Sequence, residues 1–171
     1  MTGVLRYYLD TEFYEDGKTI DLISIGIVCE DGREFYAANS DAELHRVSPW
    51  VRDNVLPHLS TYGSPEWKTR AEIRDSVVAF IAPVDEYSPK TQVWGYYADY
   101  DWVVFCQLFG TMMDLPKYMP KYCMDLKQLA VERGDPRLPK QEKDEHHALM
   151  DARWNKRAHA FLMMHVAETQ R

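Results

Sequence analysis

The chain has 171 residues, 46% of them hydrophobic and 27% charged, with a formal net charge of −7. That is the balance of one globular domain, expected over residues 1–171. No uninterrupted apolar run approaches the roughly 18 residues of a membrane span, the opening MTGVLRYYLD does not resemble a signal peptide, and a cytoplasmic location is expected. The negative charge and the lack of a dense basic block argue against a protein that grips long duplex DNA, where affinity comes largely from phosphate neutralisation.

Residues 4–13 alternate and then turn apolar, which predicts a central strand ending in carboxylates, with a polar turn at Glu15-Asp16-Gly17-Lys18. Residues 22–29 predict a second strand with Ile23, Ile25, Ile27 and Cys29 on one face. Glu30-Asp31-Gly32-Arg33 reads as a hairpin and 34–38 as a third strand, closing an antiparallel meander. Residues 50–56 read as a short helix stopped by Pro57, and Ser64-Pro65 as a turn. Thr69 and Glu72 form a capping-box pattern ahead of Ile73, Val77, Phe80 and Ile81 at helical spacing. A buried strand is expected over 91–97, then a helix from Asp99 or Tyr100 carrying Val104, Phe105 and Leu108. Residues 124–132 predict a further helix and 134–145 a polar loop. A last helix begins near His147, with Ala158, Phe161, Leu162 and Val166 facing inward. Cys29, Cys106 and Cys123 are odd in number, far apart and outside any CxxC, as expected of buried thiols in a reducing compartment. The sum is an α/β domain with a mixed β-sheet flanked by helices, its strand order undetermined by pattern.

Asp10 and Glu12 lie two apart on a predicted strand, so both side chains share one face while Thr11 turns into the fold. Like charges there repel, and the pair fits a bound cation or a solvated strand end equally. Asp101 follows the 91–97 strand, where an Asp also serves as a helix cap, and Asp99 competes for either role. In His146-His147-Ala148-Leu149-Met150-Asp151 an acid sits in the first turns of the last helix. Ala148 and Ala152 are small enough for that helix to pack close to a sheet, and His146 precedes it on a loop. A lone histidine in such a place also caps or fills space.

Together these segments are specific. Leu9-Asp10-Thr11-Glu12-Phe13, Tyr100-Asp101 and His146-x-Ala148-Leu149-x-Asp151, in that order, resemble the DEDD superfamily of 3′→5′ exonucleases in its histidine branch. The similarity extends over almost the whole chain to the polyadenylate-specific exoribonuclease AS group, through Glu15-Asp16-Gly17, Ser24-Ile25-Gly26, Trp50-Val51-Arg52, Cys106-Gln107-Leu108-Phe109-Gly110 and Ala152-Arg153. Departures are His147, where that group has a smaller polar residue, and the lead-in from Trp94 to Asp99. The resemblance implies an RNase H-like fold and single-stranded RNA as substrate, with a preference for adenylate, release of nucleoside 5′-monophosphates, and a possible homodimer.

Two divalent ions about 3.5–4 Å apart serve such hydrolysis, and carboxylate oxygens suit Mg²⁺, or Mn²⁺ in its place, better than zinc. By resemblance, Asp10 bridges the ions, Glu12 and Asp151 complete one, Asp101 reaches the other, and His146 takes a proton from water. The ions would bring four positive charges to an acidic chain. Phe13 and Thr11 are the candidate substrate-binding residues, Phe13 by stacking on the terminal base or else as core. Arg137, Lys140 and Lys143 are either phosphate contacts or a solvated loop, and Trp102, Phe109 and Met112-Met113 either core or interface. A DNA-directed exonuclease shares every one of these features, and a non-catalytic binding domain of the same fold would be expected to have lost one of the acids.

Overall fold

The computed structural model describes residues 3–83, 85, 87–141 and 145–169, with backbone alone for 165–169. The elements in chain order are β1 (Val4–Glu15), β2 (Ile20–Cys29), β3 (Glu34–Asn39), α1 (Pro49–Asn54), β4 (Trp67–Lys68), α2 (Arg70–Ile81), β5 (Lys90–Gly95), α3 (Asp99–Gln107), β6 (Met124–Asp125), α4 (Leu126–Glu132) and α5 (Ala148–Thr169). One six-stranded sheet runs in the order β4-β3-β2-β1-β5-β6. The first three strands pair antiparallel as the expected meander, whereas β5, β6 and β4 join in parallel. This is the expected mixed sheet, now with its order.

Two cores lie on opposite faces of β1, because successive side chains of a strand alternate. Tyr7 and Leu9 pack with Ile25, Ile27 and Cys29 of β2 against Ile73, Val77 and Ile81 of α2 and Val104 and Phe105 of α3. Tyr8 and Val28 pack on the other face against Leu126 and Ala130 of α4 and Ala152, Ala158 and Leu162 of α5. Each fully buried leucine, such as Leu9 or Leu162, stabilises the fold by about 1.5–3 kcal/mol. The helix over α2 starts at the expected capping box, with Thr69 and Glu72 exchanging side-chain and backbone bonds.

Several expectations need correction. Ile23 does not share a face with Ile25 and Ile27. The β1–β2 register slips between Glu12 and Phe13, pairing Glu12 with Ser24 and Phe13 with Leu22. Ile23 is the extra residue of this bulge and packs instead with Val51 and Val55 around α1. Pro57 does not stop a helix. Pro49 and Pro57 each stand in the first turn of a helix, α1 and a 3₁₀ turn over Leu56–His58, where a missing N–H costs nothing. β5 ends at Gly95, not at residue 97, because Tyr97 has φ +53. β4 and β6 are two residues long, too short for any period to show, and Met124 belongs to β6 and not to a helix. Asp125 caps α4 by accepting from the Gln128 N–H. Trp102 and Phe109 pack against the core, while Met112 and Met113 are exposed. Cys29 and Cys106 are free and buried, and Cys123 is free and half-buried. Lys143 lies outside the described residues, as does the side chain of Val166. Among the described residues no helix is long and apolar enough to cross a membrane.

Gly26 of β2 faces Asp10 across the β1–β2 ladder. A Cβ there would sit 2.3 Å from the Ala148 carbonyl carbon and 2.4 Å from the Leu149 nitrogen, both backbone atoms. Only glycine lets the start of α5 rest on the sheet beside Asp10. Gly26→Ala is therefore expected to lower stability by about 1–3 kcal/mol, measured by denaturant unfolding. An unchanged midpoint would show that α5 can lift without cost.

Candidate functional site

The acids assemble where β1 loses a neighbour. The Gly3 carbonyl accepts from Lys90 of β5 and the Arg6 carbonyl from Glu30 beyond β2, so odd-numbered residues of β1 aim their backbone groups at β5. The β1–β5 register ends at Tyr8 with Trp94. Two buried backbone groups flanking Asp10 would then lack partners. The Asn155 side-chain amide of α5 donates to the Leu9 carbonyl at 2.9 Å. The Thr11 N–H donates to Asp101 Oδ1 of α3 at 2.8 Å, and the Thr11 hydroxyl donates to the same oxygen at 2.6 Å. Thr11 was expected to contact substrate. Its side chain is buried and committed to Asp101, which makes it a positioning residue for that acid.

Asp101 lies in the first turn of α3 and is buried. Asp99 does not cap this helix. The cap position is Ala98, whose N–H donates to Asp125 Oδ2 at 2.8 Å. Burial raises Asp101 to about 6, against the lowering effect of the two Thr11 bonds.

Asp151 stands in the first turn of α5. Its Oδ1 accepts from the Gln141 amide and its Oδ2 from the His146 N–H at 2.9 Å. Burial raises its pKa, and both bonds work against that rise. His146 adopts φ +72, a left-handed conformation that costs a non-glycine residue on the order of 1–3 kcal/mol. The turn aims its N–H at Asp151 and its ring toward the acids. A ring nitrogen of His146, a carboxylate oxygen of Glu12 and one of Asp151 lie within 4.8 Å of one another. Trp50 of α1 sets its ring edge-on against His146, centroids 4.9 Å apart.

His147 has a separate task. Its Nδ1 accepts from the Leu149 N–H at 3.2 Å, its carbonyl from the Asp151 N–H at 3.0 Å, and its ring stacks on Tyr36 of β3 at 4.5 Å. It caps α5, and burial lowers its pKa, keeping the ring neutral.

Among the described residues, no side-chain or backbone donor of this kind reaches Asp10 or Glu12. Burial and then the charges of Asp101, Asp151 and Glu12 push Asp10 well above the usual carboxylate range. Burial and then Asp151 and Asp101 push Glu12 to about 8. The charges of the four carboxylates thus act on one another, and a cation near them would relieve both effects. Phe13 stacks on the exposed Tyr100 at 5.7 Å beside this cluster and packs partly against the core. Arg137 and Lys140 are exposed. Asn155 and Gln141 carry no local pattern that marks them as part of a site, and the stretches around Gly26 and Trp50 do not say what either residue touches. The part each plays is recognisable only through contacts between residues far apart in sequence.

A family model described as the 3′-5′ exoribonuclease Rv2179c-like domain matches residues 5–163. Two 3′-5′ exoribonucleases of Mycobacterium tuberculosis, Rv2179c of strain H37Rv and MT2234.1 of strain CDC 1551, are each 44% identical over 149 residues, covering 87% of this chain and 88% of theirs. The nuclease domain of 3′hExo, a DEDDh family member bound to rAMP, superposes with a TM-score of 0.61 at 11% identity, covering 94% of this chain and 92% of that one. Pop2p of S. pombe, in a form with Mg²⁺ and Mn²⁺ bound, superposes with a TM-score of 0.55 at 12% identity, over 93% and 82% of the two chains. The fold is therefore RNase H-like.

The charge crowding has a measurable sign. Unfolded carboxyls lose their protons near pH 4, whereas folded Glu12 keeps its proton to about 8 and Asp101 to about 6. Between these limits the folded state binds more protons than the unfolded, so stability falls as pH rises. His147 and His159, whose pKa values burial lowers, act the other way below about pH 6.5, so the Tm of the protein in chelator is expected to drop between about pH 7 and about pH 8, and Glu12→Gln to flatten that drop. A flat or rising wild-type curve would overturn the assignment of repulsion to these acids.

Proposed function

The chain belongs to the 3′-5′ exoribonuclease Rv2179c-like domain family, and from that premise we propose how its residues carry the reaction and on what RNA. It is a 3′-5′ exoribonuclease, a hydrolase of phosphodiester bonds with the RNase H-like fold. The proposed substrate is the 3′ end of single-stranded RNA, with preference for adenylate, and the proposed products are nucleoside 5′-monophosphates.

The observation that carries the site assignment is the approach of Glu12, His146 and Asp151 within 4.8 Å, with Asp10 and Asp101 electrostatically tied to them. The donor set fits a hard divalent cation, since it consists of carboxylate oxygens whose mutual repulsion a cation would remove. Asp10, Glu12, Asp101 and Asp151 would hold the metal, proposed as two Mg²⁺ ions with Mn²⁺ as substitute, in keeping with the Mg²⁺ and Mn²⁺ bound by Pop2p. When bound, such ions supply positive charge against the phosphate and make water more acidic.

The chain's own residues do the rest. The imidazole nitrogen of His146 that faces Glu12 and Asp151 accepts the proton of the attacking water. The water oxygen bonds to phosphorus as the bond from phosphorus to the 3′ oxygen breaks, and that oxygen takes a proton from solvent, leaving a 3′ hydroxyl on the shortened strand. Thr11 holds Asp101, and Gln141 holds Asp151. Phe13, backed by Tyr100, offers a face on which the terminal base stacks. Support for adenylate comes from the likeness to the polyadenylate-specific exoribonuclease AS group and from the rAMP held by 3′hExo.

With Mg²⁺ and a 3′-labelled oligoadenylate, the protein is expected to release AMP. His146→Ala should lower the rate by about 10²–10⁴-fold, and Asp10→Ala by at least as much. Undiminished release by Asp10→Ala overturns the site. Running A, C, G and U homopolymers beside single-stranded DNA measures the preference directly, and equal rates on all would overturn adenylate and RNA selectivity.

A further inference from the structure

We propose that a cleft of about 460 Å³ at the end of the β1–β2 hairpin receives a nucleobase of the RNA strand upstream of the scissile bond. This rests on the exoribonuclease reading above. The cleft lies between the β1–β2 hairpin, the segment over 42–47, the start of α2 and the end of α3.

Two elements join it to the acids. Tyr14, in its wall, follows Glu12 by two residues on β1, a step of about 6.6 Å along a strand. Tyr14 also packs in the cluster of Ile23, Val51 and Val55, and Val51 adjoins Trp50, whose ring touches His146. A strand with its 3′ end at the acids therefore reaches the cleft within a few nucleotides by passing over β1 and α1.

The lining matches a base better than a phosphate. Ile20, Leu22, Ile23 and Leu44 give apolar surface. The Arg46 guanidinium lies over the Tyr14 ring at 5.6 Å, a planar pair on which a base can stack. Arg46 bonds Glu43 at 2.6 Å and Asp16 at 3.5 Å, and Arg70 bonds Asp21. These pairs present donors and acceptors to a base edge, and with two arginines and two carboxylates in the lining the charge balances, which leaves no net attraction for phosphate. An apolar floor with a few convergent polar groups, in a volume of this size, is the usual composition of a small-ligand site.

The test is an abasic scan. Five-nucleotide RNAs, each with one base removed, are compared with the intact RNA for wild type and Arg46→Ala. Arg46 is a half-exposed side chain, and thermal unfolding of the variant checks that it folds. In wild type, removal of one particular upstream base is expected to raise KM about fivefold or more with little change in kcat. Arg46→Ala should raise KM for the intact RNA by a similar factor, and the same abasic position should then have no further effect. If no upstream base matters, or if the two losses multiply, the proposal is overturned while the exoribonuclease reading stands. If wild type hydrolyses none of the RNAs, that reading fails and takes this one with it.

Discussion

Past Tyr8, β1 has no β5 partner, and the site is built by closing that open edge. A buried backbone group without a partner costs about 1–3 kcal/mol, and two such groups flank Asp10. Asn155 takes the Leu9 carbonyl from one side and Asp101 takes the Thr11 N–H from the other. Each bond ties a different helix to the strand, and those helices are the ones that bear Asp151 and Asp101. The need to satisfy backbone hydrogen bonds and the placement of the acids are therefore one arrangement. Gly26 completes it from β2, since only a residue without Cβ lets the Ala148 backbone approach.

The four acids are not equivalent within that frame. Asp101 and Asp151 have donors: Thr11 for one, Gln141 and the His146 N–H for the other. Asp10 and Glu12 have burial and like charge as the causes of their shifts. They are the residues that gain most from a cation. This also reconciles a chain of net charge −7 with a polyanionic substrate class. Positive charge concentrated at the acids would do locally what a basic surface does for proteins that bind duplexes.

The bulge at Ile23 shapes the surroundings. By slipping the register after Glu12, it turns Ile23 toward Val51 and Val55 and seats α1 beside the site. Trp50 then leans on His146, and Tyr14 and Ile23 become part of the cleft wall. One inserted residue so links the strand end, the histidine's neighbour and the neighbouring cleft.

Much of this was legible in the chain. Period two put Asp10 and Glu12 on one face, helical spacing with a capping box marked α2, and small residues around Asp151 foretold a helix close to the sheet. These are properties of neighbouring residues, set by backbone geometry wherever the segment ends up. What local pattern could not settle depends on residues brought together from afar. The strand order, the two-residue strands β4 and β6, the Ile23 bulge, Asn155 under Leu9 and the different surroundings of His146 and His147 are all of this kind. His146 and His147 are adjacent and chemically identical, and only the left-handed turn at His146 and the Tyr36 ring beneath His147 separate them. The sequence by itself determined which acids share a strand face and which residue types could react. Tertiary structure decided which of them meet, because that is set by where β5 leaves β1 and by what fills the space it leaves.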